Sequence, residues 1–416
     1  MPQGGTAATR TDGRHGASGP AAGHPLRALV VGGSLAGLSA AAWLARSGFA
    51  VDVLERSPGP LQGFGAGIVL HPSTSRFLTE HGRLSLDAIS LGVGRLRYLG
   101  PGGEIVAESP CRLRFSSYGM LYRRLREAAE RRGARYLPGT AVAAVGSDRD
   151  GAWADLAAGG RRHGDVVVAA DGVGSTVRRQ LFPGVEPAWA GYVAWRGVLD
   201  EAALRPAAVA PLAGAITYCI LERSHLLSYP IAGAAGRRVL RNWVWYRNLA
   251  GPDELDRLRR DRHGVLREFS VPAGAVAPAA AAALRRDAAR LLPWPLAALV
   301  RRTPAPFLQV VVDVQPPRLV RGRVCLLGDA GFVARPHAAA GTAKAAEEAR
   351  LLAEALGRCG DVAAALAAWE AGALALGRDL VARSRAAGER AQREGAWQPG
   401  EPLPFGLRRA GDSEAW

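Results

Sequence analysis

Short apolar runs broken by glycine dominate the start of the chain. Residues 26–31 (LRALVV) are largely apolar, end in two β-branched valines and stop at Gly32. A small-residue helical pattern over 37–47 and a second apolar run over 51–55 follow, the spacing of a βαβ unit. Helices are expected over 76–82 and 121–132, the second ended by Gly133. Strands are expected over 140–145, 153–156 and 166–170. Between about 188 and 280 the period changes. Runs at 190–199, 216–221, 226–231 and 240–247 alternate and carry aromatics, which predicts an antiparallel sheet inserted into an α/β layer. Proline-punctuated helices reach about 302, and apolar runs at 308–314 and 324–327 return the chain to the first layer. Two alanine-rich helices, 342–357 and 362–394, follow, and Pro399, Pro402 and Pro404 mark an extended tail. The fold class is α/β, a Rossmann-like domain with an inserted antiparallel sheet and C-terminal helices. The expected division is a disordered arm (1–25), a nucleotide domain with part of the substrate lobe (26–187), a substrate domain (188–305), the nucleotide domain's return with the last helices (306–394) and the tail (395–416).

A length of 416 residues makes two lobes the default. The formal charge of +16 points to an anionic partner only if the charge is clustered. It is carried almost wholly by scattered arginines, Lys344 being the only lysine, without a long basic run or interleaved aromatics. A nucleic-acid partner is therefore not expected. Cys111, Cys219, Cys325 and Cys359 have no pair spacing, so no disulfide framework or metal site is expected. The first 25 residues have no apolar stretch of a secretory signal, and no run reaches membrane-spanning length. A cytoplasmic protein with no membrane partner is expected.

Three motifs carry chemistry. In Val31-Gly32-Gly33-Ser34-Leu35-Ala36-Gly37, Ser34 takes the second glycine position of a dinucleotide fingerprint. Gly32 would make the tight turn, Gly37 would let helix and strand approach, and the helix N-terminus would receive a pyrophosphate. Glu55, 18 residues after Gly37, would take the ribose hydroxyls. The second motif, residues 166–178, ends a buried strand at Asp171-Gly172, with Ser175 and Arg178 beyond. The third is a strand running into Gly328-Asp329-Ala330, some 270 residues after the first. Asp329 would accept from a ribityl hydroxyl. The helix start near Gly341-Thr342 would favour negative charge on a reduced flavin ring. Two half-sites this far apart suit a flavin held across a split domain.

In this order and spacing the motifs resemble those of the group A flavoprotein monooxygenases, the family of para-hydroxybenzoate hydroxylase, over about residues 26–407. The likeness is strongest to the members that hydroxylate dihydroxypyridines. It rests on GGSLAGL (32–38), LERSPGPLQGFGAGIVLHP (54–72), GYVAWRGVL (191–199), RPHAAAGTAKA (335–345) and QPG (398–400). The resemblance implies a GR2-type FAD-binding domain and non-covalent FAD. It also implies NADPH or NADH as a transient reductant, O2, a small electron-rich aromatic substrate oxygenated through a flavin hydroperoxide, and a homodimer. It assigns cofactor contacts to Gly32, Ser34, Leu35, Ala36, Gly37, Glu55, Arg56, Gly67, Val142, Asp171, Gly172, Gly328, Asp329, Pro336, Gly341 and Thr342. Phe332, Ala343 and Tyr122 replace the family's usual His, Asn and Arg, so no cofactor role passes to them. His71, Val333, Ala334 and Thr342 also depart from the dihydroxypyridine pattern, which leaves the substrate open.

Such chemistry needs a base for the substrate hydroxyl. His337, beside the flavin loop, is the first candidate, with a loop-bonding structural role as its alternative. His71 is the second. His225 is expected in a solvated hairpin turn, and His15 and His24 in the arm. Trp195, Trp245 and Tyr246 are candidates for an aromatic pocket wall or for sheet core. Alternation sends Trp243 and Trp245 to one face and Tyr246 to the other. Arg196 would meet an anionic substrate or solvent. Three other readings share the scaffold: a tailoring hydroxylase or epoxidase of polyketides or alkaloids, a halogenase, and a non-catalytic escort protein. The halogenase would need a Trp-x-Trp-x-Ile-Pro motif and a catalytic lysine, and Tyr246-Arg247 follows Trp243-Val244-Trp245 here. The escort protein should lack one of the three motifs, and all three are present.

Overall fold

The computed structural model describes residues 25–61, 67–233 and 238–412. The expected arm, with His15 and His24, lies outside the described residues apart from position 25.

Six strands form the first sheet in the order Val320–Arg321, Val324–Leu326, Val166–Ala169, Arg27–Val31, Ala50–Leu54 and Arg135–Leu137. All pairings are parallel except that of Val320–Arg321 at the edge. The central strands are nearly continuous in Val, Ala and Leu because both faces are covered. On one face the Leu35–Arg46 helix packs against the Tyr118–Glu130 and Gly341–Arg358 helices. On the other lies a three-stranded sheet, Val142–Ser147, Ala152–Leu156 and Arg161–Gly164.

The fingerprint turn is dictated by close approach. Gly32 has φ +99°, and a Cβ there would lie 2.4 Å from the Ala170 carbonyl oxygen. A Cβ at Gly37 would lie 1.9 Å from the Gly32 carbonyl oxygen. The helix begins at Leu35, earlier than expected, because Ser34 in extended conformation serves as its N-cap.

Nine strands form the second sheet, in the order Ser270–Val271, Phe307–Asp313, Ala188–Asp200, Val239–Asn248, Ser224–Ala232, Ala215–Leu221, Leu91–Leu99, Ile105–Ser117 and Gly67–Val69. One face packs on the Pro278–Leu291 and Trp294–Arg302 helices. The other looks toward the first domain and the C-terminal segment. The long hairpin of Leu91–Leu99 and Ile105–Ser117 has no counterpart in the sequence reading. Its strands carry glycines, arginines, Pro110 and a bulge between Val93 and Arg95, which blur the two-residue period. The helix expected over 76–82 starts at Pro72, a proline suited to a first turn. It ends in the π-turn Phe77–His81.

Gly37→Ala is expected to lower the thermal midpoint, by a cost of about 1–3 kcal/mol or more, because its Cβ meets fixed backbone. Calorimetry of the variant checks this, and an unchanged midpoint would show that the turn can yield.

Candidate active site

The three motifs converge at the ends of neighbouring strands. Glu55 is buried. Its Oε2 accepts from Gly33 N–H (2.8 Å) and its Oε1 from Ser57 N–H (2.7 Å), which fixes the carboxylate beside the turn. The N-terminus of the Leu35–Arg46 helix has no side-chain cap, so its N–H groups remain free for an anion. The Ser34 hydroxyl instead shares a hydrogen bond with Tyr118 (2.8 Å), and Ser34, Leu35 and Ala36 line the central cavity. Tyr122 is fully buried, stacked on Tyr118, with its hydroxyl 3.2 Å from that of Tyr136. Exposed Arg56 follows Glu55, and Val142 opens a strand near it, since Thr140 N–H donates to the Glu55 carbonyl (2.8 Å). Neither lines the cavity.

Asp171 turns inward. It accepts from the Ser175 hydroxyl and from Thr176 N–H (2.8 Å), capping the Thr176–Leu181 helix, while Gly172 lines the cavity. Arg178, fully buried, donates to the carbonyls of Val173, Asp329 (3.3 Å) and Ala330 (3.0 Å), so the second motif holds the third. Gly328 has φ +65°. Its N–H donates to Glu348 Oε2 (2.8 Å), and its carbonyl accepts from Lys344 Nζ (3.0 Å). Lys344 and Glu348 themselves form a buried ion pair at 2.9 Å. The Asp329 carboxylate opens into the cavity and takes no protein hydrogen bond among the described residues. The side chain is exposed to the open cavity, yet the protein packed around it raises its pKa, against the charges of Lys344 and Arg178. Pro336, Gly341 and Thr342 line the same cavity, where the Gly341–Arg358 helix begins without a side-chain cap. A free acceptor, two open helix N-termini and a turn that admits no Cβ fit the polar and ring ends of FAD.

The cavity, about 860 Å³, lies between the two sheets. Its floor is one face of the nine-stranded sheet, with Ala194, Tyr246 and His225 side by side across strands and Arg196, Val244, Leu227 and Tyr218 in the next row. Gly67 lies at its edge, its N–H on Asn242 Oδ1 (2.8 Å) and its carbonyl accepting from the Tyr229 hydroxyl (2.8 Å) and Arg196 Nη2 (3.2 Å). The Pro336–Ala338 turn carries His337, whose Nε2 meets the Tyr192 hydroxyl at 2.7 Å. His225 Nδ1 meets the Gln392 carboxamide at 2.8 Å. Each imidazole therefore keeps one nitrogen without a protein partner among the described residues. Burial, and then the charge of Arg335, pull the His337 pKa down to about 3. Burial, and then His337, pull that of His225 well below its usual value. Both are neutral near pH 7.

Several sequence expectations need correction. His71 does not line the cavity. It is buried, with Nε2 on the Ala339 carbonyl (2.9 Å), where it supports a non-glycine residue at φ +51° in the flavin loop. Trp195 and Trp245 also lie off the cavity, packed with Trp243 against the helices on the sheet's far face. Tyr246 does line it. The alternation was right, but the pleat cannot say which face meets the cofactor. His225 sits in the Ser224–Ala232 strand because the hairpin turns at Glu222-Arg223, with Arg223 at φ +48°. Its alternation with Leu227, Tyr229 and Ile231 was the available signal. Tyr192, Gln392 and Trp397 had none of their own. Phe332 fills the core against Gly377, and Ala343 packs under the loop, so neither position faces a ligand. Among the described residues no cluster of three His, Cys, Asp or Glu could hold a metal, and no helix is long and apolar enough to cross a membrane.

Residues 30–61 match a family model for NAD(P)-binding Rossmann-like domains, and residues 189–313 one for FAD binding domain-like chains. The chain is 37% identical to 2,6-dihydroxypyridine 3-monooxygenase of Paenarthrobacter nicotinovorans over 92% of its own length and 96% of that protein. The solved 2,6-dihydroxypyridine-3-hydroxylase from Arthrobacter nicotinovorans superposes with a TM-score of 0.87 at 36% identity, covering 92% of this chain and 98% of that one. HpxO of Klebsiella pneumoniae, solved with FAD and uric acid, gives 0.72 at 26% identity over 89% of each chain.

Lys344→Met would leave Glu348 as an unpaired buried charge, at a cost of about 3–5 kcal/mol. It should lower both thermal midpoint and FAD content; full retention of FAD would remove the pair from the account. The histidines predict acid sensitivity. Folding depresses the pKa values of His71, His225 and His337, so stability is intact above the unfolded value near 6.5 and falls as pH drops below it. At pH 5 the loss is at most about 2 kcal/mol per histidine. Thermal midpoints at pH 7.5 and 5 should show a shallower decline for His225→Gln than for the unchanged chain, whereas an equal decline assigns the loss to other groups.

Proposed function

The chain belongs to the group A FAD-dependent aromatic hydroxylases, and we propose that it hydroxylates a small, electron-rich heteroaromatic ring of the dihydroxypyridine type, with O2 and with NADH or NADPH as reductant. The observation that carries the ring class is a pair of imidazoles in the cavity, His225 on its floor and His337 on the adjoining turn. Two neutral imidazoles, each anchored through one nitrogen, lie with their rings 5.5 Å apart beside Tyr246. A hydroxypyridine presents O–H, N–H and C=O groups around one small ring, which is what such a pair can match.

Arg196 supplies the charge. It lines the cavity, donates to Gln309 Oε1 (2.8 Å) and the Gly67 carbonyl, and has no carboxylate partner among the described residues. Its Nε is buried without a partner. The cavity's other arginines are neutralised, Arg335 by Asp313 and Glu389 and Arg390 by Glu401. Arg196 would therefore stabilise the anion formed when the ring hydroxyl loses its proton, the form most open to electrophilic oxygen. His337 would accept that proton at its free nitrogen while Tyr192 holds the other. Burial keeps it unprotonated at neutral pH but also weakens it as a base, and the ring anion formed beside it would offset that burial by favouring the imidazolium.

Bound FAD supplies the redox chemistry, taking the reducing equivalents of the nicotinamide and activating O2. Glu55, the fingerprint turn and the first helix N-terminus would hold its nucleotide half, and Asp329, Pro336 and the Gly341–Arg358 helix start its flavin half. The only nucleotide fingerprint is already committed to FAD, so the nicotinamide would bind transiently at the cavity mouth.

A panel of hydroxypyridines, phenols and larger polyphenols, scored by stimulated NAD(P)H oxidation, tests the reading. Dihydroxypyridines should stimulate most; stimulation only by large polycyclic compounds would favour a natural-product tailoring role instead. His337→Ala should keep FAD and slow product formation roughly 100-fold or more, as loss of a general base does. Unchanged turnover would remove His337 from that role.

A further inference from the structure

Beyond the last helical turn, Glu389–Glu394, the chain turns at Gly395 (φ +63°) and runs to residue 412 almost without regular structure. A free tail of this composition would leave its apolar side chains in water. Here Trp397, Leu403, Phe405 and Leu407 are all buried. The Trp397 ring stands edge-on to His225 (5.0 Å between centroids) and to Tyr218 (5.1 Å), and Trp397, Pro402, Pro404 and Phe405 line the catalytic cavity. Pro402 is exposed, which puts this segment at the cavity's mouth.

The segment is tied to each body that forms the cavity. The Tyr98 hydroxyl, from the sheet, donates to the Glu401 carbonyl (3.0 Å). Gly406 N–H donates to the carbonyl of Ala338, next to His337 (3.1 Å). Arg383, from the last long helix, donates to the Leu407 carbonyl (2.6 Å). The rest of the lining comes mainly from a sheet face, the flavin loop, the segment 269–273 and the end of the last helix at 387–391. The strap belongs to no sheet, and of these three ties two come from side chains and one from backbone, so the residues it presents to the cavity, Trp397 first, can change without altering strand pairing.

We propose that this C-terminal strap, through Trp397, is the specificity-determining wall of the catalytic cavity: it limits the substrate to one ring and excludes bulk water. The inference rests on the hydroxylase reading above. Coupled turnover converts NAD(P)H, H⁺, O2 and the ring C–H into NAD(P)⁺, ring C–OH and H2O. If water reaches the site, NAD(P)H, H⁺ and O2 give NAD(P)⁺ and H2O2, and the ring is unchanged. Removing the indole opens room on the order of one further ring, since a cavity of roughly 150 Å³ holds benzene.

The test uses full-length Trp397→Ala, Trp397→Phe and Phe405→Ala, each first checked for FAD content and thermal midpoint. Affinities for 2,6-dihydroxypyridine and a dihydroxyquinoline are read from the perturbed flavin absorbance, and H2O2 is measured per NAD(P)H consumed. Trp397→Ala should bind the pyridine roughly tenfold more weakly, the equivalent of one lost aromatic contact, while gaining on the quinoline. Its H2O2 share should rise, with Trp397→Phe intermediate. If Trp397→Ala fails to fold, the other two variants carry the same expectation. Wild-type ring preference and H2O2 share in FAD-loaded variants would overturn the strap's role while leaving the hydroxylase reading intact. An unaltered chain whose flavin responds to neither ring would instead overturn the hydroxylase reading, and the strap proposal with it.

Discussion

The site depends on one strand lying between two others. Val166–Ala169 pairs on one side with Ala28–Val31 and on the other with Val324–Leu326. All of these pairings are parallel, so the three strands end together and deliver Gly32, Gly172 and Gly328 to one edge of the sheet. Parallel strands need long connections, and here the connections contain most of the chain. Arg178 then fastens the edge. Its guanidinium, without solvent, bonds the carbonyls of Val173, Asp329 and Ala330. A ligand that spans the first and third motifs is thus held by segments with no sequence proximity, and the ion pair of Lys344 and Glu348 fixes the last of them through both backbone atoms of Gly328.

Around the ring end of the cavity the same economy of polar groups recurs. Few are present, and nearly all are anchored elsewhere. His337 is held by Tyr192, His225 by Gln392 and the flavin loop by His71. Burial keeps all three imidazoles neutral. A neutral, fixed imidazole costs little to keep in an apolar cavity and can donate or accept as the ring requires. Arg196 is the exception, a cation with no carboxylate partner among the described residues, and its charge underlies the proposal of an anionic ring.

The turns that bring the three motifs together were legible in the sequence, because their constraints are local. A strand must stop at a glycine and the backbone must approach closely, and Gly32, Gly37 and Gly328 each report one of these. The ring half was not. Its floor is set by how four strands register, and periodicity could separate Trp245 from Tyr246 without saying which one faced the cavity. His225 was misread because the hairpin turns on Glu222 and Arg223, residues with no turn signature. The hairpin of Leu91–Leu99 and Ile105–Ser117 was missed because a bulge and Pro110 break its alternation. His71 looked like chemistry from its place beside the flavin motifs, whereas its partner is a carbonyl 268 residues away.

The central claim is that a small hydroxylated heteroaromatic ring binds on the His225–His337 pair against the flavin. The most direct measurement is the change in flavin absorbance as 2,6-dihydroxypyridine is titrated into the FAD-loaded protein and into a His225→Leu/His337→Leu variant that retains FAD. The account predicts a saturable perturbation in the first that is lost or greatly weakened in the second. No perturbation in the unaltered protein, or an equal one in the variant, would contradict it.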